Sequence, residues 1–193
     1  MRELKISRHA DPAFVDAFRS LARRLRREAK ASVRAPITMY LAGGAAVHFY
    51  TGARMTDDID AVFDRKLLVP TDMAVIFRGA EGKARSLHVD ASYNESFTLM
   101  HEDAHDDALR LVLDGIEGVE VRVLQPVDLA VSKLARFSEI DRGDIRQLGQ
   151  AGLVNGKKLR ARAEDAMQGY VGDHDRIRTS LRLACSDLEN IAR

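Results

Sequence analysis

The sequence predicts an α+β fold, in which a mixed sheet flanked by helices is followed by a C-terminal helical bundle. Short runs of β-branched and large apolar residues recur before residue 125, as buried strands require. From Val127 onward the apolar spacing is helical. The 193 residues suffice for one compact domain or for a small core with an appendage. We therefore predict a core over residues 1–125, which includes an N-terminal basic helix, and a helical domain over residues 126–193.

The first predicted element is an amphipathic helix that begins at Asp11-Pro12 and ends near Ser32. Aspartate is a favourable helix cap, and proline is favoured in the first helical turn. One face carries apolar residues at three- and four-residue spacing, namely Phe14, Phe18, Leu21 and Leu25. The opposite face carries Arg23, Arg24, Arg26 and Arg27, which either bind RNA phosphates or face solvent.

Strands and turns fill the rest of the predicted core. The strands span Ile37 to Leu41, Asp58 to Phe63 and Leu87 to Ala91, and a hairpin joins Arg110 to Leu113 with Val119 to Leu124. A short helix over Ala45 to Tyr50 follows the first strand. In the helical domain, breaks are predicted at Gly143, at Gly152 to Gly156 and at Gly172-Asp173.

The composition restricts the class of protein. The single cysteine, Cys185, excludes an intramolecular disulfide and a cysteine-rich zinc site. No stretch approaches the roughly 18 apolar residues of a membrane span, and the N-terminus lacks the apolar segment of a signal peptide. We therefore expect a soluble cytoplasmic protein with no membrane partner. Residues 37–124 carry eight basic and fifteen acidic residues between two basic ends, which fits either a metal site beside a polyanion-binding surface or solvated helix faces.

The pattern that bears most directly on chemistry is Gly43-Gly44 followed by the acidic pair Asp58 and Asp60. A glycine pair lets the backbone approach a phosphate group, and the N-terminus of a following helix attracts it. The two aspartates lie two residues apart on a predicted strand, so their carboxylates share one face. Carboxylate oxygens are the ligands that Mg²⁺ prefers, and Mn²⁺ accepts them too. The pattern therefore predicts a metal-bound nucleoside triphosphate.

A third carboxylate from a neighbouring strand would complete such a site for two metal ions. Asp90, near the end of the predicted strand LHVDA, is the first candidate. Glu120, in the sequence VEVRV, is the alternative.

The segment YLAGGAAVHFYTGARMTDDIDAVF, residues 40–63, resembles the entry motif of the polymerase-β-like nucleotidyltransferase superfamily. More narrowly, the spacing from Arg54 and Thr56 to the two aspartates resembles that of AbiEii-type and related bacterial nucleotidyltransferase-like proteins. The downstream segment SKLARFSEIDRGDI is also similar to that group, through Lys133, Arg136, Asp141 and Asp144. The resemblance covers roughly residues 38–146. The sequence departs from it at Gly44, where the superfamily often has a serine that touches phosphate.

The resemblance implies a role for each matching residue. The residues expected to bind the nucleotide are Gly43, Gly44, Arg54, Thr56, Lys133 and Arg136. Metal ligation falls to Asp58, Asp60 and Asp90, and the catalytic set adds Lys133, Asp141 and Asp144 to these three. On one continuous helix, Lys133, Arg136, Asp141 and Asp144 would share a sector of about 140°. Alternatively, they form a face of ordinary salt bridges.

The same resemblance implies a Mg²⁺-dependent enzyme that moves a nucleoside monophosphate from a nucleoside triphosphate to a hydroxyl group of RNA, tRNA or protein. It suggests the toxin of a toxin–antitoxin or phage-defence pair, with a cognate antitoxin as partner. Two alternatives stay open. One is a catalytically silent nucleotide-binding or protein-interaction module, and the other is an antitoxin-type transferase that modifies a partner toxin.

A competing motif, His101-Glu102-Asp103-Ala104-His105, has the spacing of the zinc-protease helix. Acidic residues crowd the segment, whereas that helix is usually amphipathic and buried. No third zinc ligand is evident in the sequence. We therefore expect an exposed acidic helix or loop near the rim of the active site instead of a zinc centre.

Overall fold

The structure, a computed structural model, describes residues 2–29, 36–67, 69–70, 73–79, 82–90 and 92–192, except for the side chain of Phe97. These residues form two compact units. The first unit comprises Met1–Tyr93 and Ala108–Val123, and the second comprises Asn94–Asp107 and Leu124–Arg193. Both sheets and the first two α-helices belong to the first unit, and the remaining helices belong to the second.

The first unit combines two helices with a run of strands, as the predicted α+β class requires. Its elements in chain order are β1 (Glu3–Lys5), α1 (Pro12–Glu28), β2 (Ile37–Leu41), α2 (Gly43–Thr51), β3 (Asp58–Ile59), β4 (Ala61–Phe63), β5 (Ala74–Arg78), β6 (Ala84–Val89), β7 (Leu109–Val112) and β8 (Val119–Val123). The mixed α+β class is therefore confirmed.

The strands form two sheets. The five-stranded sheet has the order β1-β7-β8-β2-β4, and the three-stranded sheet has the order β3-β6-β5. In the larger sheet, β2 runs parallel to β8 and antiparallel to β4, so this sheet is mixed. The predicted strand from Asp58 to Phe63 is in fact divided between the sheets. Its first two residues pair with β6, its last three pair with β2, and Asp60 lies at the change.

Helix α1 covers the core of this unit with the apolar stripe that the sequence shows. The Asp11 carboxylate caps the helix by accepting a hydrogen bond from the backbone N–H of Ala13 at 2.7 Å. Phe14 and Phe18 are buried, and both rings meet Phe49 of α2 edge to face, at centroid distances of 5.8 and 5.0 Å. Such aromatic pairs stabilise a core by about 1 kcal/mol beyond the area that they bury. The predicted helix end near Ser32 lies outside the described residues.

The basic face of α1 is largely engaged within the unit. Arg23 donates to the carbonyl oxygen of Gly115 in the β7–β8 turn, and Arg24 donates to that of Ala74 at 3.2 Å. Arg26 donates to the carbonyl oxygen of Ala29 at 3.3 Å. Arg23 and Arg24 therefore tie the helix to the β7–β8 turn and to β5, while Arg26 bonds the residue that caps its own helix. These bonds favour a structural role for the three arginines over RNA binding.

The second unit is helical. Its α-helices are α3 (Pro126–Ser132), α4 (Glu139–Gln150), α5 (Gly156–Ala166) and α6 (His174–Ile191), and short 3₁₀ helices occupy Glu95–Phe97 and Met167–Gly169. Arg162 of α5 donates to both carboxylate oxygens of the fully buried Asp128 and to the carboxylate of Asp107. This guanidinium ties the segment 94–107 to the helices of its own unit.

Most predicted elements are present, and three differences add to the division of the strand from Asp58 to Phe63. Gly143 does not interrupt a helix but lies inside α4, and the break falls instead over residues 133–138. Strands β1 and β5 were not predicted. The third predicted strand begins earlier, at Ala84, and its predicted last residue lies outside the described residues. Within the described part of the chain, none of the helices combines the length and apolarity needed to cross a membrane.

Candidate functional site

The glycine pair sits where β2 turns into α2. Gly43 has a φ of +60°, a left-handed conformation that side chains other than glycine rarely adopt. Ala42 precedes it in an extended conformation, and its side chain has no atom that could accept a hydrogen bond from the first helical N–H groups. The start of α2 therefore presents backbone N–H groups that can bind an anion, with the positive end of the helix dipole behind them.

Asp60 lies directly against this turn. A Cβ atom added to Gly43 would overlap Oδ2 of Asp60 and would lie 2.6 Å from its Cγ. The backbone holds the two residues together, because the N–H of Ala42 donates to the carbonyl oxygen of Asp60 at 2.9 Å. The carboxylate thus rests on the bare Cα of Gly43, and glycine is needed there both for its φ and for the space.

Gly44 is covered by Arg54 and Thr56, the two residues to which the family resemblance also assigns nucleotide binding. A Cβ atom at Gly44 would lie 3.1 Å from Nη2 of Arg54 and 3.1 Å from Cβ of Thr56. Arg54 is exposed, and the Thr56 hydroxyl accepts a hydrogen bond from the backbone N–H of Asp58 at 3.3 Å. The Arg54 guanidinium and the Thr56 hydroxyl therefore lie beside the start of α2, where both could bind a phosphate group.

Asp58 and Asp90 lie on the neighbouring strands of the smaller sheet. Asp58 is paired in register with His88 of β6, and its Oδ1 lies 2.9 Å from Nε2 of that histidine. One step further along, the N–H of Asp90 donates to the carbonyl oxygen of Ile59 at 3.0 Å. This bond lies one residue beyond the last registered pair, Ile59 with Val89, so Asp90 is next in line to the backbone of Asp60, on the side of the strand that His88 occupies. Ile59 is fully buried on the opposite face.

The Asp90 carboxylate is held by the turn that follows it. Its Oδ1 accepts hydrogen bonds from the backbone N–H and the hydroxyl of Ser92, at 2.8 and 2.6 Å. These bonds, chiefly the one from the hydroxyl, lower the pKa of Asp90 below its ordinary value despite some burial. The group is therefore ionised at neutral pH. Both bonds from Ser92 use Oδ1.

Glu120 lies on β8 in the larger sheet, away from the glycine turn and Asp60. It is in register with Thr38, four residues before the position where Ala42 meets Asp60, and it binds Arg122 at 2.7 Å. Four residues of strand correspond to roughly 13 Å. The geometry therefore favours Asp90 over Glu120 as the acid that accompanies Asp60.

The second unit contains the predicted cluster of Lys133, Arg136, Asp141 and Asp144. These residues do not lie on one helix, because α3 ends at Ser132 and Ser138 caps α4. Lys133 Nζ lies 2.7 Å from Asp144 Oδ2 and 3.7 Å from Asp141 Oδ1. Lys133 is only 5% exposed, and both aspartates are 1% exposed. The cluster is thus a buried ion network at the α3–α4 corner.

Arg136 completes this network from the surface. Its Nε and Nη2 bind both carboxylate oxygens of Asp141, at 2.7 and 2.8 Å, and Ser138 adds a capping box. Burial raises the pKa of Asp141, but the hydrogen bonds from Arg136 and Ser138 outweigh it and hold that pKa at about 2. These contacts account for the four residues as a helix junction, and their roles in substrate binding and catalysis stay predictions.

The His101–His105 segment forms turns and no helix. The buried His101 contacts Asp165 through Nε2 at 2.9 Å, and its Nδ1 accepts the backbone N–H of Asp103 at 3.1 Å. His105 contacts Glu95 instead, at 3.0 Å. The two imidazoles therefore contact different acids. The sequence predicted an exposed acidic helix or loop here; the segment is a turn with exposed Glu102 and Asp103, but His101 and Ala104 are buried.

The carboxylates fit a magnesium ion that arrives with a triphosphate. Among the residues that the structure describes, no group of three or more His, Cys, Asp or Glu side chains is arranged to hold a metal ion. Mg²⁺ commonly uses only one or two protein carboxylates together with substrate phosphates. Asp58, whose side chain is 54% exposed, and Asp60 at the glycine turn would provide such a pair beside the start of α2.

Two residues of the site were missed from the sequence. His88 pairs with Asp58, and Ser92 fixes Asp90. The sequence does contain a signal for His88, because His88 and Asp90 repeat the two-residue spacing of Asp58 and Asp60 on a second strand. Ser92 follows the strand in a turn, where aspartate two residues earlier commonly accepts hydrogen bonds from the backbone.

Comparison with known proteins gives one match. A family model described as "Nucleotidyltransferase of unknown function (DUF6036)" matches residues 21–193, which is most of the chain. The matched range includes every residue of the candidate site. No curated protein and no solved structure matches the chain significantly.

Proposed function

Because this chain belongs to the family of nucleotidyltransferases of unknown function (DUF6036), we propose that it transfers a nucleotidyl group from a Mg²⁺-bound nucleoside triphosphate to a hydroxyl acceptor. One observation carries the proposal. Asp60 lies against Gly43 at the start of α2, and Asp90 lies beside it in the register of the neighbouring strand. A phosphate-binding helix end and two carboxylates are thereby brought to one place.

The helix end binds the triphosphate. The N–H groups at Gly43 and Gly44 donate to its phosphate oxygens, because the methyl side chain of Ala42 at the start of the helix cannot cap them. Arg54, packed over Gly44, adds a cation on the same side, and Thr56 adds a hydroxyl. Since Gly44 replaces the serine that is common in related proteins, the backbone carries this contact.

Asp58 and Asp60 hold the magnesium ion. When bound with the triphosphate, magnesium neutralises charge on the phosphate oxygens during transfer. His88 lies 2.9 Å from Asp58 Oδ1 and orients that carboxylate. Asp60 is oriented by its position on Gly43, so both acids are fixed before substrate binds.

Asp90 orients the attacking hydroxyl. It is ionised, and Oδ2 is the oxygen that Ser92 does not use, so it accepts the hydrogen bond of the acceptor hydroxyl. The hydroxyl oxygen forms a bond to the α-phosphorus, and the bond from that phosphorus to the bridging oxygen of the β-phosphate breaks. Pyrophosphate leaves, and the hydroxyl proton passes to Asp90 and then to water.

The acceptor class that the resemblance implies is RNA, tRNA or protein, and the biological role is that of a toxin with a cognate antitoxin. Both are part of this proposal, as is the AbiEii-type relationship. The silent module and the antitoxin-type transferase are the outcomes against which it is tested.

The test is transfer of label from α-³²P-labelled nucleoside triphosphates, with Mg²⁺, to total RNA or to proteins of a cell extract. Asp60→Asn should abolish transfer, because the carboxylate beside the glycine turn is lost. Asp57→Asn is the matched control, since Asp57 is an exposed acid of the same segment that pairs with Arg85 at 2.8 Å. Equal transfer by wild type and Asp60→Asn would disprove the site. No transfer to any acceptor, together with no triphosphate binding in calorimetry, would favour a silent protein-interaction module.

A further inference from the structure

A cleft opens beside Asp90 where the two sheets separate. Strand β3 pairs with β6, but after Asp60 the chain leaves β6, and β4 joins the end of the larger sheet. The edge of β4 and the end of β6 therefore diverge. The space between them is an open cleft of about 370 Å³, lined by Val62, Phe63, Lys66, Leu67, Asp90 and Tyr93, among others. We call it the β4 cleft.

We propose that the β4 cleft is the acceptor subsite of the transferase and that it binds a nucleotide unit whose ribose hydroxyl is the attacking group. This inference rests on the proposed function, because it uses the triphosphate position at the glycine turn.

The order of the strands places the cleft on the attacking side. Ala42, next to the glycine turn, bonds the backbone at Asp60, and Asp90 bonds the backbone at Ile59. The glycine turn and Asp90 thus flank the 59–60 segment from opposite strands. In phosphoryl transfer, the attacking and leaving oxygens lie roughly in line on opposite sides of phosphorus. Pyrophosphate at the glycine turn therefore requires an acceptor that approaches from Asp90, where the cleft begins.

The walls of the cleft match a nucleotide unit. Val62, Phe63 and Leu67 provide apolar surface, and the Tyr93 ring adds an aromatic surface on which a base can stack. Lys66 is exposed at the cleft and provides a cation for a phosphate. Arg65 also lines the cleft but is engaged, since it binds Asp64 and donates to the carbonyl oxygen of Pro36 at 3.1 Å. An aliphatic hydroxyl group of a protein would use neither the aromatic surface nor the cation.

The test measures binding of the four nucleoside 5′-monophosphates by calorimetry. The protein is first saturated with Mg²⁺ and an α,β-methylene triphosphate, which occupies the donor site without reacting. We expect at least one monophosphate to bind this complex, and Lys66→Glu to weaken it about five- to tenfold, as loss and reversal of one exposed ionic contact would. Leu67→Trp, which fills the cleft, should weaken binding further. Lys5→Glu makes the same charge change on exposed β1 and should have no effect.

Triphosphate binding by the same variants separates the two proposals. If the β4 cleft is the acceptor subsite, Lys66→Glu and Leu67→Trp bind the triphosphate analogue as wild type does. Monophosphate binding that the analogue abolishes, or that neither cleft variant weakens, would overturn the acceptor subsite. So would label transfer to protein alone. If the analogue does not bind at all, the transferase fails, while monophosphate binding that depends on Lys66 would still support a nucleotide site in the cleft.

Binding of a short RNA that ends in the preferred nucleotide distinguishes two possible acceptors, the end of an RNA and a free nucleotide. Tighter binding of the RNA than of the free monophosphate, with the same loss in Lys66→Glu, assigns the cleft to an RNA end. Equal or weaker binding assigns it to a free nucleotide.

Discussion

Replacement of Gly43 by alanine tests the link between the glycine turn and Asp60, the acid that we propose to bind the metal. The new Cβ atom would lie 2.6 Å from Cγ and 2.8 Å from Cβ of Asp60, whereas ordinary contact begins near 3.4 Å. Because Oδ2 would be closer still, the carboxylate must retreat by at least about 1 Å, and a displacement of that size in an active site can cost about a hundredfold in rate. The φ of +60° adds a backbone cost of about 1–2 kcal/mol. For a chain of this length, that cost lowers Tm by roughly 2–8 °C.

Gly82→Ala is the matched control for the backbone cost. Gly82 has a φ of +73°, and no described atom lies within 4 Å of its Cβ position. The two variants should therefore lose similar stability in thermal unfolding, while only Gly43→Ala should lose label transfer and triphosphate affinity. Full activity of Gly43→Ala would refute the inference that Asp60 needs the bare Cα. An equal loss of activity in Gly82→Ala would show that the loss reflects stability alone.

Two further predictions concern stability. Asp144→Asn leaves the buried Lys133 ammonium without its closest partner, so unfolding in urea should show a loss of about 3–5 kcal/mol. Arg136→Ala removes a guanidinium that is 74% exposed and should cost at most about 1 kcal/mol; equal losses would contradict the burial argument. Burial lowers the pKa of His48 below its ordinary value of 6.5, so the unfolded chain binds a proton more readily than the folded one. Stability should therefore fall as the pH drops below about 6.5, and His48→Gln should flatten that part of a Tm–pH profile.

The sequence predicts those features whose causes are local. The Asp11 cap, the β2 strand and the glycine start of α2 all lie where the residue pattern placed them. Gly143 shows the limit of local rules. Nothing described lies within 4 Å of its Cβ position, and α4 runs through it, because the surrounding helix is fixed by packing and by the Ser138 cap.

The site was less predictable than the fold, because it depends on strand pairing. The two-residue spacing shows that Asp58 and Asp60 share a face, but it does not show that their strand changes sheets between them. The choice of Asp90 over Glu120 likewise depends on register, which long-range pairing sets. The buried state of Lys133 has the same origin, since one helical sector would have left it on a surface.

The change of sheet at Asp60 has a consequence for folding. Asp58 is placed by the smaller sheet and the residues after Asp60 by the larger one, and the larger sheet includes β1, whose Glu3 pairs with Arg110. Contacts between residues so distant in the chain carry a high loop-closure cost and slow folding. A partly folded chain with only one sheet would hold one carboxylate without the other. Activity therefore reports the complete folding of this unit, and a denaturant titration should abolish activity and the native structure of the sheets at the same midpoint.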